Sequence, residues 1–215
     1  MHKFLCLLAG VLCHGLLWSQ DDKVVDLPIT TCDCDGAIAL MDGEEKGPMK
    51  SNHFGKVLEI RNNAEDDPYF FEHEHNSTWF FIKAPITGEM TLRIVSEDAS
   101  EDFNFLVFLA SGRWFCNKLR SGDEIPIRAN QSSAERGRGI TGLKIDAMED
   151  YVSIYDDYAF SSSIQTIAGD YYYIVVDNKR NNNHGFKIVV NFYSPDEIDA
   201  ANAEFEADAK VQHRF

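Results

Sequence analysis

The sequence predicts an all-β protein: an antiparallel β-sandwich with a long insertion and a short C-terminal helix. Three observations lead there. From Lys56 onward, short apolar runs rich in aromatic and β-branched residues are separated by polar turns containing Gly and Asn. Leu92 and Ile94 alternate with Thr91 and Arg93, and Ile188, Val190 and Phe192 with Lys187, Val189 and Asn191, the period of a strand wet on one face. No stretch between 56 and 193 shows a convincing helical period. Repeated short antiparallel strands around one core make a sandwich.

Taken in chain order, the elements begin with a leader. Lys3 precedes an apolar run from Phe4 to Leu17, broken only by His14, and small Ser19 stands before a cut after Gln20. That run is shorter than the roughly 20 residues of a membrane-spanning helix, so 1–20 reads as a secretory signal peptide. Leu5 and Leu12, before Cys6 and Cys13, are not the small residues that lipid attachment requires. Residues 21–55 form an entry segment. Strands are expected at Lys56–Arg61, Thr78–Lys83, Met90–Val95, Phe103–Ala110, Ile164–Ile167, Tyr171–Asp177 and Phe186–Phe192, making 56–193 the sandwich. Phe103–Leu109 and Tyr171–Val176 are apolar on both faces, which places them centrally or beneath an insertion. Trp79, Phe81, Leu92, Ile94, Tyr173 and Val190 are the expected core. Ser111–Ser163 is the insertion, with charged turns at Ser121–Glu124 and Glu135–Arg138 and one or two further strands. Residues 194–215 form an acidic tail in which Ser194-Pro195-Asp196-Glu197 reads as a helix start.

Charge limits the partners. The chain holds 20 basic and 35 acidic side chains, a net charge of −15, and loss of Lys3 with the leader makes it −16. Such a field repels phosphate backbones and anionic lipid, which excludes nucleic acid and favours cations. No second long apolar run exists, so no membrane insertion is expected after cleavage. Of the five cysteines, Cys32, Cys34 and Cys116 remain in the mature chain. Cys32 and Cys34 are too close to bridge each other, so either pairs with Cys116, closing a loop of more than eighty residues, and one thiol is left over. Cys32-Asp33-Cys34 lacks zinc-site spacing.

Four segments then occur in order: Asn76-Ser77-Thr78-Trp79-Phe80-Phe81-Ile82, Gly88-Glu89-Met90-Thr91-Leu92-Arg93-Ile94, Asp102-Phe103-Asn104-Phe105-Leu106-Val107-Phe108 and Ala168-Gly169-Asp170-Tyr171-Tyr172-Tyr173-Ile174-Val175-Val176. This series resembles the bacterial pre-peptidase C-terminal (PPC-like) domain family over about Lys56–Tyr193, with Asn104 where the family often has an acid. The resemblance implies a jelly-roll-like sandwich and an accessory module of exported proteins rather than a catalyst. Some relatives bind calcium through an acidic segment before the sandwich and acids at the entry to the aromatic strand. By position Asp33 and Asp35 match the first set, and Glu72, Glu74 and Asn76 the second. Calcium is thus the one cofactor implied, and it requires six to eight oxygens around one point.

Other chemistry is sparse. Gly137-Arg138-Gly139-Ile140-Thr141-Gly142 matches a dinucleotide fingerprint in letters, but a polar stretch precedes it and an alternating strand follows, so it reads as a flexible loop. Glu72-His73-Glu74-His75 is not the zinc-protease motif. In an extended segment its histidines share one face, where they suit a transition metal, and its acids the other, where they suit calcium. No serine or cysteine lies in a nucleophile motif. Trp114 and Phe115, on the irregular insertion, are the candidate sugar-stacking face, although Trp114 also fits a satellite core cluster; Trp79 belongs in the core. The expected function is a non-enzymatic binding or adhesion module. Its site is extracytoplasmic (periplasm, outer surface or secreted), and its partner is a protein or glycan of the envelope or extracellular matrix. The alternatives are a secreted hydrolase using the acids of Asp33–Asp35 and Glu72–Glu74, or a structural domain of a larger envelope protein.

Overall fold

Strand-forming runs account for nearly all regular structure in the computed structural model, which describes residues 23–60, 70, 73–101, 103–131, 134–179 and 183–198. The leader, Glu72 and residues 199–215 of the tail lie outside the described residues. Thirteen strands occur among those described: β1 Val25–Asp26, β2 Ile38–Ala39, β3 Lys46–Lys50, β4 Thr78–Lys83, β5 Gly88–Ser96, β6 Asn104–Leu109, β7 Arg128–Asn130, β8 Ile140–Lys144, β9 Tyr151–Val152, β10 Phe160–Ser162, β11 Ile164–Thr166, β12 Tyr171–Asp177 and β13 Phe186–Tyr193. Two short helices interrupt them, α1 Phe115–Ser121 and α2 Ala134–Gly137.

The strands form two stacked sheets. One runs β1-β3-β13-β5-β8-β10, with β11 also on β5; the other runs β2-β4-β12-β6-β7-β9. Along β3, β4, β5, β6, β7, β8, β12 and β13 the chain changes sheet at every connection except β6 to β7. That is the winding of a jelly roll, as expected. The central pairs are antiparallel, in the β13–β5 ladder from Phe186↔Ser96 to Tyr193↔Glu89 and in β12 between β4 and β6. The outer pairs β1–β3, β10–β8, β2–β4 and β7–β9 are parallel, so the sheets are mixed rather than purely antiparallel. These edge strands arrive by excursions, and a parallel partner needs no tight hairpin. β3 comes from the entry segment, so the sandwich starts before Lys56.

Between the sheets lies an apolar core of Phe80, Ile82, Leu92, Ile94, Phe105, Val107, Ile174, Val176, Ile188 and Val190, among others. Each such side chain contributes about 1.5–3 kcal/mol through burial. The expected core had one phase error. Leu92, Ile94 and Val190 lie there, but Trp79 points to the opposite face of its sheet, into a second cluster with Leu106, Phe108, Phe115, Leu119 and Val175. Phe81 and Tyr173 are half-buried on that same outer face. Because β4, β6 and β12 are apolar on both sides, the two-residue period alone could not say which side met the other sheet.

Two further expectations fail for local reasons. Residues 56–60 form no strand, because their amides are taken by carboxylates instead of a neighbouring ladder. Helix α1 lies in a region without visible helical period: at seven residues it is too short to show one, and it buries Phe115, Cys116 and Leu119. It stops where Gly122, at φ +79°, donates back to the Leu119 and Lys118 carbonyls. The Gly137–Gly142 segment spans the end of α2 and the start of β8, with no phosphate cradle geometry around a helix N-terminus. A Cβ at Gly142 would lie 1.9 Å from the Leu92 carbonyl oxygen, so close strand approach explains that glycine. After β13, Ser194 and Glu197 form a capping box at a helix start, as the pattern predicted.

Candidate functional site

The outer face of the β4–β12–β6 sheet is covered by irregular chain rather than by a third sheet. Two tight turns, Ile29–Cys32 and Cys34–Gly36, pack over β4 together with residues 51–60 and α1. Irregular backbone over an apolar face leaves amides without ladder partners, and buried amides need acceptors. Acidic side chains supply them. Asp33 Oδ1 accepts from the amides of Lys56 (2.7 Å) and Val57 (3.0 Å). Glu74 Oε2 accepts from Glu59 (2.7 Å) and Ile60 (3.2 Å), while its Oε1 accepts from Trp79 Nε1 (2.9 Å). Gly55, at φ +97°, sits against Asp33 so closely that a Cβ would lie 2.2 Å from Oδ1.

One arginine ties this cap to α1. Arg120 Nη2 donates to Glu59 Oε1 (3.0 Å) and to Asp35 Oδ2, and the Cys34 amide also reaches Glu59 Oε1 (3.3 Å). The disulfide is Cys34–Cys116, which joins the entry turn to α1; Cys32 is a buried thiol beside Ser51 Oγ. Burial raises the Cys32 thiol above its ordinary range, which keeps it protonated and inert. Burial likewise pushes Glu74 up to about 8, outweighing the Trp79 donor, with the neighbouring Glu59 charge adding to the rise. Glu59 is raised as well, burial outweighing the Arg120 contact.

The residues that the family resemblance offers to calcium are thus brought together only in part. Asp33 and Glu74 hold the same 56–60 loop, but each carboxylate is engaged by N–H donors. Asp35 turns to Arg120. Asn76 lies apart, its amide on Asp177 Oδ1 (3.1 Å) and its side chain donating to the Asn178 carbonyl (2.8 Å). Among the described residues no group of three or more His, Cys, Asp or Glu side chains is placed to hold a metal ion.

Beside the cap lies an open cavity of about 270 Å³. Its floor is aromatic: Phe81 stacks on Tyr173 with ring centres 5.9 Å apart, and Tyr173 stacks on Phe115 at 4.5 Å. Its rim carries Asp35, Arg113, Trp114 and Asn117. Trp114 is 64% exposed and so belongs to the surface, not to a satellite core cluster. Phe115 is only 3% exposed; as part of the cluster under α1 it supports the floor and is not itself an exposed ligand face. The sequence singled out this dipeptide but not Phe81 or Tyr173, which it assigned to the core. Their exposed edges follow from the phase of β4 and β12, which the sequence left open.

No protein-family model matches the chain, and no curated protein matches it. Among solved structures, one similar chain is CorA, a surface-associated copper-binding protein important in copper acquisition by Methylomicrobium album BG8. It is 14% identical, and the match covers 55% of this chain and 82% of that one at a TM-score of 0.33. A likeness of that degree carries no argument about function. No helix among the described residues is long and apolar enough to cross a membrane.

Proposed function

We propose that the chain is an exported, non-catalytic binding module of PPC-like kind that takes a glycan of the cell envelope or matrix in the Trp114 groove. The observation that carries this is one exposed indole at the rim of a cavity floored by stacked rings and braced by a disulfide. A sugar ring presents apolar C–H faces and a hydroxyl girdle. Flat aromatic surface meets the faces, and the Arg113, Asn117 and Asp35 side chains are at hand for the hydroxyls. At about 270 Å³ the cavity is below the ~300–1,000 Å³ of sites that engulf a small molecule, so it suits one ring of a longer chain. A rigid floor costs little ordering entropy on binding.

Export is supported by the leader and by the disulfide, which persists in oxidising compartments. The jelly-roll winding, with the four quoted segments on β4, β5, β6 and β12, supports the PPC-like reading. The hydrolase alternative is disfavoured by the work its acids already do. Glu74 is 1% exposed and accepts three N–H donors, and Asp33 accepts two, so neither faces a substrate. The test is a glycan-binding screen of the mature chain followed by calorimetry with the best oligosaccharide. Trp114→Ala should weaken binding at least about tenfold without lowering the melting temperature. Equal binding by that variant, or release of cleaved sugar by the wild type, would overturn the proposal.

A further inference from the structure

A second site lies away from the groove, where the chain enters β4. His73 and His75 bring their imidazole rings to a centre-to-centre distance of 4.3 Å with 31° between planes. His73 is exposed, and the His75 side chain is 29% exposed. Behind His75 stands Asp177, the last residue of β12, whose side chain is fully buried. Its Oδ1 accepts the backbone amides of His75 (2.7 Å) and Asn76 (3.1 Å), and its Oδ2 lies 3.0 Å from His75 Nδ1. A carboxylate held by two amides is fixed in place, so Nδ1 carries the proton and donates to it. Nε2 of His75 is then left as a lone-pair donor.

We propose that His73 and His75 form a bidentate surface chelate for a divalent transition-metal ion of the imidazole-preferring class, with Asp177 as the positioning residue. The parts are those of a carboxylate–histidine–metal arrangement: the carboxylate selects the tautomer, orients the ring and raises its basicity. Imidazole nitrogens suit Cu²⁺, Ni²⁺ and Zn²⁺, whereas Ca²⁺ and Mg²⁺ demand oxygen. Metal–nitrogen bonds are about 2.0–2.1 Å, which sets the ring centres of two imidazoles on one ion roughly 4.5–5 Å apart, close to the present 4.3 Å. Rotation of the exposed His73 turns a ring nitrogen toward the shared ion while His75 stays fixed. Water completes the coordination. The acidic surface concentrates cations around the site without choosing among them; the choice lies with the two nitrogens.

The experiment is calorimetric titration of the mature chain with Cu²⁺ and with Zn²⁺, each in excess Ca²⁺ and Mg²⁺, joined to electron paramagnetic resonance of the copper form. One equivalent should bind with nitrogen hyperfine structure. His73→Ala, on an exposed residue, should lose at least about tenfold in affinity and the signature of the second nitrogen. Asp177→Asn retains a carbonyl for the two amides but no longer fixes the His75 tautomer. It should weaken binding with the coordination sphere unchanged. His184→Ala, at a histidine whose Nδ1 instead lies 3.0 Å from Glu101 Oε1, should change nothing. Displacement of the ion by Ca²⁺, or equal affinity in His73→Ala, would overturn the proposal and assign the binding to the diffuse acidic surface.

Discussion

The two faces of the β4–β12–β6 sheet are equally apolar in sequence but are covered in different ways. The inner face meets another sheet, whose backbone pairs within its own ladders, so side chains alone fill the interface. The outer face meets two turns, a loop and a short helix, whose amides have no ladder. There the cover is held by Asp33, Glu74 and Glu59 as acceptors, by Arg120 and by one disulfide. A regular layer solves the backbone's hydrogen-bonding problem by itself, whereas an irregular one requires buried side-chain acceptors. It is the irregular cover that leaves a groove.

The sharpest way to break this comparison is to damage each face in turn. Phe80→Ala, in the inner core, should cost about 3–5 kcal/mol in urea denaturation and lower protection from hydrogen exchange throughout. A loss confined to one sheet would mean the sandwich is not a single cooperative unit. Removing the Cys34–Cys116 bond as a double Ser variant should cost about 2–4 kcal/mol. The chain-entropy limit for a separation of 82 residues is ~4.5 kcal/mol. Exchange should quicken most in residues 29–36, 51–60 and α1. If β12 and β13 quicken equally, the cap is not separable from the core.

Glu74 sharpens the electrostatic half of the contrast. Its folded value of about 8 lies above the ordinary 4.5, so the folded state holds a proton that the unfolded state releases. That contribution to stability is fully present below about pH 4.5 and is lost as pH rises through about 8. At its steepest the loss is ~1.4 kcal/mol per pH unit. Glu74→Gln should flatten the fall in denaturation midpoint between pH 5 and 8, whatever its absolute stability. An unchanged slope would place the proton elsewhere. The smallest effect is expected at the surface: Trp114→Ala should alter stability by no more than about 0.5 kcal/mol. A larger loss would show that the indole packs against the cap instead of lining the groove.

Much of this fold is legible in the residues. Thr78–Lys83 and Tyr171–Asp177 occur as strands with the expected ends, because aromatic and β-branched runs between Gly and polar turns allow little else. The disulfide was legible down to two pairings. Cys34 rather than Cys32 takes Cys116 because it shares the outer cluster with Phe115 and Trp79, whereas Cys32 turns to Ser51. The site was legible only at its rim. Trp114 stood out by type, but Arg120, Glu59, Phe81 and Tyr173 carry no local signal of their roles. Arg120 meets Glu59 across 61 residues and Asp35 across 85.

The sequence by itself determined that the chain is β-rich, acidic and built from short strands, since period, composition and turn chemistry act over a few residues. Which face of β4 met the second sheet was a tertiary decision, because both faces were apolar and either phase buried comparable surface. So was the fate of residues 56–60, whose strand-like pattern yielded to Asp33 and Glu74 once those carboxylates stood opposite their amides. Local propensity is worth tenths of a kcal/mol per residue, whereas an unmet buried amide costs about 1–3 kcal/mol. Long-range partners therefore overrode the local pattern there.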